Sequence, residues 1–186
     1  MRTFIAAELP PGMKRKIEEV QTRLKKTETF VSWVKPGNVH VTLKFLGEVA
    51  EERMEDVFHG TERALKESKV FSLSLKDLGC FPNLRRPRVV WVGVDKGKDD
   101  LTQMQGQIEE ELFKLRFPKE QRSFSPHLTI GRVKSPRNIE ALTGLIETMK
   151  FETEEVKVDE VVVMKSQLHP QGAIYTPLKE IKLLDQ

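Results

Sequence analysis

The tetrapeptide His40-Val41-Thr42-Leu43 returns 87 residues later as His127-Leu128-Thr129-Ile130. The same offset lays Phe4-Ile5-Ala6-Ala7-Glu8 on Trp91-Val92-Gly93-Val94-Asp95 and brings the apolar phase of a first helix close to that of a third. One such agreement arises easily by chance. Three at one spacing, with no gap, mark a duplicated unit. The chain is therefore expected to fold as two related halves about a pseudo-two-fold axis. Its 186 residues suit one compact domain of two β-α-β-α-β lobes, roughly 1–78 and 88–186, with strands free to exchange between them.

Apolar periodicity fills in each half. Residues 2–9 read as a strand closed by Pro10-Pro11-Gly12, and Met13, Ile17, Val20 and Leu24 follow at helical spacing. A turn is expected at 33–38, a strand at 39–46, a helix at 51–67 and a strand at 70–77, with a loop over 79–87. The second half repeats this with a strand at 88–95 and a helix marked by Leu101, Met104, Ile108, Leu112 and Leu115. A strand at 127–133, a helix at 136–150, a strand at 156–165 and a further strand within 173–184 complete it.

Lys and Arg number 31 against 28 Asp and Glu, so a polybasic, histone-like chain is excluded and only a local basic cleft remains. The one cysteine forbids an internal disulfide framework and a Cys-based zinc ribbon, and a reducing, cytoplasmic setting is the simplest expectation. No stretch approaches the ~18 apolar residues of a membrane span, and the N-terminus lacks a signal-peptide core.

In a strand, residues i and i+2 share a face. His40 and Thr42 therefore point one way and Val41 and Leu43 the other, and the second copy behaves alike. A two-fold axis would set two imidazoles and two hydroxyls around one small group. In-line displacement at phosphorus needs a base on the nucleophile and an acid on the leaving oxygen. Imidazole, titrating near ~6.5, fills both roles at neutral pH. Each role contributes roughly 10²–10⁴-fold, and the hydroxyls can donate to non-bridging oxygens as charge builds there. A lone His-x-Thr would be ordinary sheet polarity; two at equivalent repeat positions are not. No carboxylate or third His stands at ligand spacing, so neither a metal nor another cofactor is expected.

Other residues carry weaker signals. By strict alternation Lys44 shares the face of His40 and Thr42 and is expected in the cleft as a substrate contact. Arg132 falls on the opposite face, and a bulge at Gly131 is needed to turn it inward. Arg85-Arg86-Pro87-Arg88 is a basic loop suited to backbone phosphates. Phe81, Trp33 and Tyr175 are candidates for stacking on a base. His59 is expected to face solvent, His169 to sit in a loop and Cys80 to be structural. No phosphate-binding Gly-rich loop, dinucleotide fingerprint or nucleotidyl-accepting Lys-x-Asp-Gly motif is present. Strand joining, if any, would draw on the strain of the substrate's own phosphate.

At these residues the sequence resembles the two-histidine phosphoesterase superfamily, and within it the RNA 2′,3′-cyclic phosphodiesterase, or 2′-5′ RNA ligase, family. The supporting stretches are residues 2–6, 40–47, 79–82, 87–91, 126–132 and 166–175. The resemblance implies a bilobal α+β fold in which two antiparallel sheets face each other across a cleft, with helices outside. It implies metal-free hydrolysis of a terminal 2′,3′-cyclic phosphate to a 2′-phosphate, with reversible 2′-5′ ligation as a companion activity. By this resemblance His40 is the proton donor, His127 the proton acceptor, and Thr42 and Thr129 hold the phosphate. RNA ends, tRNA fragments among them, are the expected partners of a monomeric enzyme. An RNA-end-binding module without turnover, and a relative acting on small cyclic nucleotides, remain the alternatives.

Overall fold

The computed structural model describes residues 1–185. In chain order the elements are β1 (Arg2–Ala7), α1 (Pro11–Lys25), β2 (Val31–Trp33), β3 (Val41–Glu48), α2 (Met54–Leu65), β4 (Phe71–Leu73) and β5 (Leu75–Phe81). Then follow β6 (Val89–Val94), α3 (Lys98–Lys114), β7 (His127–Val133), α4 (Ile139–Thr148), β8 (Val156–Val158), β9 (Glu160–Gln167) and β10 (Ile174–Lys182). One antiparallel sheet has the order β10-β9-β1-β3, a second the order β2-β7-β6-β5, and β4 pairs with β8.

The α+β architecture of two antiparallel sheets follows from the repeat. β1 and β6, matched by the 87-residue offset, lie inside their sheets, and β3 and β7, which carry the repeated motif, lie beside them. Each sheet also recruits strands from the other half: β9 and β10 join β1 and β3, and β2 joins β7.

Helical spacing puts Met13, Ile17, Val20 and Leu24 of α1 and Leu101, Met104, Ile108 and Leu112 of α3 into the core. One apolar cluster links both halves through Ile5, Val41, Leu43, Val92, Leu128 and Ile130. β1 is buried on both faces. Ile5 and Ala7 join that core, while Phe4 and Ala6 join a separate cluster with Val162, Met164 and Tyr175. That second cluster forms an apolar floor under the site.

The segments expected as single strands at 70–77 and 156–165 are each broken. β4 leaves for β8 before β5 turns to β6, and β8 is followed by β9, which turns to β1. The turn expected from Trp33 onward begins later: residues 31–33 pair with β7, and the turn proper is a 3-10 segment at Pro36–Asn38.

Candidate active site

Burial shows which face each motif presents. Val41, Leu43, Leu128 and Ile130 are fully enclosed, whereas His40, Thr42, His127 and Thr129 are half-buried. β3 and β7 come into contact with each other, so the two motifs lie on neighbouring strands of different sheets. Neither threonine hydroxyl is engaged by another group among the described residues.

Both histidines are tethered by the same device. His127 Nδ1 lies 2.7 Å from the Ser125 backbone oxygen, and His40 makes the corresponding backbone hydrogen bond to Asn38. Ser125 and Asn38 are themselves 87 residues apart. A carbonyl only accepts, so Nδ1 of His127 carries the proton and Nε2 is left free.

The surroundings differ. His40 stacks on Phe4 with ring centroids 4.9 Å apart, and the Tyr175 ring stands edge-on at 5.4 Å. Burial among these rings, then the nearby Lys14 cation, pulls its pKa down to about 4, against the opposing hydrogen bond to Asn38. Among the described residues the one ring against His127 is Phe81, edge-on at 4.8 Å. Lys14 carried no signal in the sequence; it is held by Glu8 and the Gly37 carbonyl, next to the turn before His40.

Both motif strands kink immediately after the threonine. On β3, Ala6 pairs with Thr42 and Ile5 with Lys44, leaving Leu43 unpaired. On β7, Trp91 pairs with Thr129 and Val90 with Gly131, leaving Ile130 unpaired. These are β-bulges at equivalent positions, and each reverses the alternation that follows. Arg132 is thereby turned to line a cavity of about 390 Å³ with Arg2, Phe4, Phe45, Ser166 and Tyr175. Phe45, the counterpart of Arg132 in the first half, lines the same cavity.

The bulge also corrects the expectation for Lys44. Its side chain turns away from Thr42 and is buried, with Nζ 2.7 Å from Glu109 Oε2 and 2.9 Å from the Pro118 oxygen. Lys44 therefore does not share the face of Thr42, as strict alternation had it, but faces Glu109.

A family profile, described as the 2′-5′ RNA ligase superfamily, matches residues 5–170. The chain belongs to the 2′-5′ RNA ligase superfamily. It is 36% identical over 184 residues to the RNA 2′,3′-cyclic phosphodiesterase of Methanothermobacter thermautotrophicus, covering 98% of this chain and 99% of that protein. To the protein of the same name in Thermotoga maritima it is 37% identical over 181 residues, 97% of this chain and 94% of that one. Among solved structures, TT0787 of Thermus thermophilus superposes with TM-score 0.84 at 26% identity over the whole of both chains. Escherichia coli LigT complexed with 3′-AMP superposes with TM-score 0.79 at 26% identity, covering 98% of this chain and 97% of LigT.

Other residues of this superfamily member fall as follows. His59 is exposed on α2, and His169 is an exposed loop residue whose Nδ1 accepts from the Gln171 amide. Of the three stacking candidates, Tyr175 and Phe81 flank the histidines, while Trp33 packs over Gly131 under the sheet edge. Cys80 is buried, and burial pushes its thiol up to about 11. Arg85 and Arg86 are exposed at the tip of the β5–β6 hairpin, where Asn83 Oδ1 accepts from both of their amides. No group of three His, Cys, Asp or Glu side chains able to hold a metal occurs among the described residues. Among the described residues no helix is long and apolar enough to cross a membrane.

Proposed function

We propose that the protein hydrolyses terminal 2′,3′-cyclic phosphates of RNA to 2′-phosphates by acid–base catalysis between His40 and His127, without a metal. The observation that carries this reading is the matched pair of half-buried imidazoles, each bonded to the backbone two residues upstream. RNA 2′,3′-cyclic phosphodiesterase relatives that align over nearly the whole chain support the substrate class.

The free Nε2 of His127 takes a proton from water as its oxygen bonds to phosphorus. The P–O3′ bond breaks, and the departing O3′ takes the proton of His40. The two rings end in exchanged protonation states and reset through solvent. Thr42 and Thr129 donate to the non-bridging oxygens, and Arg132 adds positive charge beside the 390 Å³ cavity. His40 is neutral in the empty cleft. A phosphodiester anion raises its pKa, so the acid is charged as substrate arrives. An RNA 5′-hydroxyl in place of water would give a 2′-5′ linkage by the same displacement. We place this chemistry in a monomer in the cytoplasm, acting on RNA fragments such as those of tRNA.

The test is product analysis of an oligonucleotide ending in a 2′,3′-cyclic phosphate, with and without EDTA. A 2′-phosphate product formed equally in both supports the reading. Retention of the RNA without turnover would indicate an end-binding module. Turnover of cyclic mononucleotides alone would indicate a small-molecule enzyme, and loss of activity on chelation would overturn the metal-free scheme.

A further inference from the structure

We infer that Gln21 and the Lys44–Glu109 pair are positioning residues, each bracing the β-bulge that follows the motif threonine and so aiming Arg132 and Phe45 at the cleft. The inference rests on the reading above for what the cleft does, and on separate geometry for how the cleft is held.

Few polar side chains of this protein are buried, and these three are among them: Gln21 is 1% exposed, Lys44 5% and Glu109 8%. All three sit beside the bulges. Gln21 comes from α1, and its Nε2 donates to the Val34 oxygen at 2.7 Å and to the Ile130 oxygen at 2.9 Å. Ile130 is the unpaired residue of the β7 bulge. Its oxygen also accepts from the Val34 amide at 3.0 Å, so Gln21 clamps the end of the β2–β7 ladder where the strand kinks. The brace therefore runs from a first-half helix to the second-half motif.

The opposite brace starts from α3. Glu109 Oε2 takes Lys44 Nζ at 2.7 Å and the Glu120 amide at 3.3 Å, and Gln105 donates to Oε1 at 3.3 Å. Lys44 also holds the Pro118 oxygen at 2.9 Å. Lys44 directly follows the unpaired Leu43 of the β3 bulge. Residues 118–120 stand 87 residues after β2, so they occupy the place of β2 in the repeat. They pair with no strand, and Pro118 has no amide to donate. Side chains do on this side what a backbone ladder does on the other.

The counterpart of Lys44 is Gly131, where a Cβ would come within 2.7 Å of Val31 Cγ1 and 2.9 Å of Trp33 Cε3. With β2 present there is no room for a side chain at this position. Without it, the space is filled by a buried cation and its carboxylate. A bulge left unbraced can regain regular pairing, which would flip every side chain beyond it to the other face. Arg132 would then leave the cleft, and so would Phe45.

A double-mutant cycle distinguishes aiming from mere stability. Gln21→Met keeps side-chain length and removes the donor. Lys44→Met/Glu109→Leu removes the pair without stranding a buried charge. Leu142→Ala in α4, a buried position off both motif strands, serves as a control for destabilisation. Each variant is assayed well below its melting temperature on the cyclic-phosphate oligonucleotide, and for the Kd of the 2′-phosphate RNA. Gln21→Met should lower kcat/KM about tenfold or more, in the range that small misplacements cost, and Leu142→Ala should not. Adding Arg132→Ala to Gln21→Met should cost little more than Arg132→Ala alone, and adding Phe45→Ala to the Lys44/Glu109 variant should behave likewise. Losses that multiply in both cycles would overturn the inference. If the wild-type protein binds this RNA without turning it over, the proposed function fails, and the cycles on Kd still decide the braces.

Discussion

The His40 imidazole lies face to face with the Phe4 ring, centroids 4.9 Å apart and planes 20° from parallel. Phe4 belongs to the apolar cluster of β1, β9 and β10, so this ring rests on a floor that solvates a cation poorly. Among the described residues the one ring against His127 is Phe81, which meets it edge-on and not face to face. Two imidazoles at equivalent positions of a repeat thus sit in different environments, and the lowered pKa of His40 works against the acid role proposed for it until an anion binds beside the ring.

Stability should fall with acid because of His40. Its folded pKa is about 4, against 6.5 for the ordinary imidazole. Between these values the unfolded chain binds a proton that the native one refuses. Its contribution is therefore fully present above pH 6.5, is lost as pH drops towards 4 and is level below that. The loss is of order 1–3 kcal/mol. Urea melts of wild type and His40→Gln from pH 7.5 to 4 isolate it, since carboxylate titration is common to both. A difference between the two proteins that stays constant across the window would contradict the buried ring.

Phosphate in the cleft should reverse the shift. The ring signals of His40, followed by NMR through a pH titration, should report a pKa that rises on adding a 2′-phosphate oligonucleotide. Tyr175→Ala should raise it in the free protein, because the edge-on ring at 5.4 Å helps to bury the imidazole. An unmoved His40 pKa in the presence of saturating product would place the phosphate elsewhere.

The Lys44–Glu109 pair should behave as a buried ion pair does when one partner is lost. Lys44→Met alone leaves the Glu109 carboxylate buried and should cost about 3–5 kcal/mol. Lys44→Met/Glu109→Leu should recover most of it. Thermal melts compare them directly, and a single variant as stable as wild type would show that the carboxylate finds another partner.

Much of this is legible in the sequence. The constant offset locates both motifs, the burial alternation at 40–43 and 127–130 and the helices that cover them. What escapes has a common cause. Period-2 patterning carries no mark where a strand changes partner, so the segments containing Ser74 and Asp159 read as continuous while β4, β5, β8 and β9 divide there. Nor does it mark a bulge: strict alternation places Lys44 in the cleft and Arg132 outside it, and one unpaired residue in each strand exchanges the faces they present. A signal is present at position 131, where a glycine faces a lysine across the repeat. Phe45 and Lys14 have none, because the first depends on that bulge and the second on how α1 lies against the turn at 36–38.

The facing of β3 gives a paired test. Val41 is fully buried and Thr42 half-buried, its hydroxyl engaged by no other group among the described residues. Val41→Asp should cost several kcal/mol and unfold a marginal protein, whereas Thr42→Ala should melt near wild type and turn over up to ~10²-fold more slowly. The reverse pattern would mean that the motif points the other way.

The most direct measurement of the central claim is turnover of the cyclic-phosphate oligonucleotide by wild type, His40→Ala, His127→Ala and the double variant. Paired acid and base act as one unit, so each single variant should lose most of the activity and the double variant little more. His59→Ala and His169→Ala, both at exposed positions, should retain it. Independent, multiplying losses at His40 and His127, or a comparable loss in folded His59→Ala, would show that the duplicated histidines are not the catalytic pair.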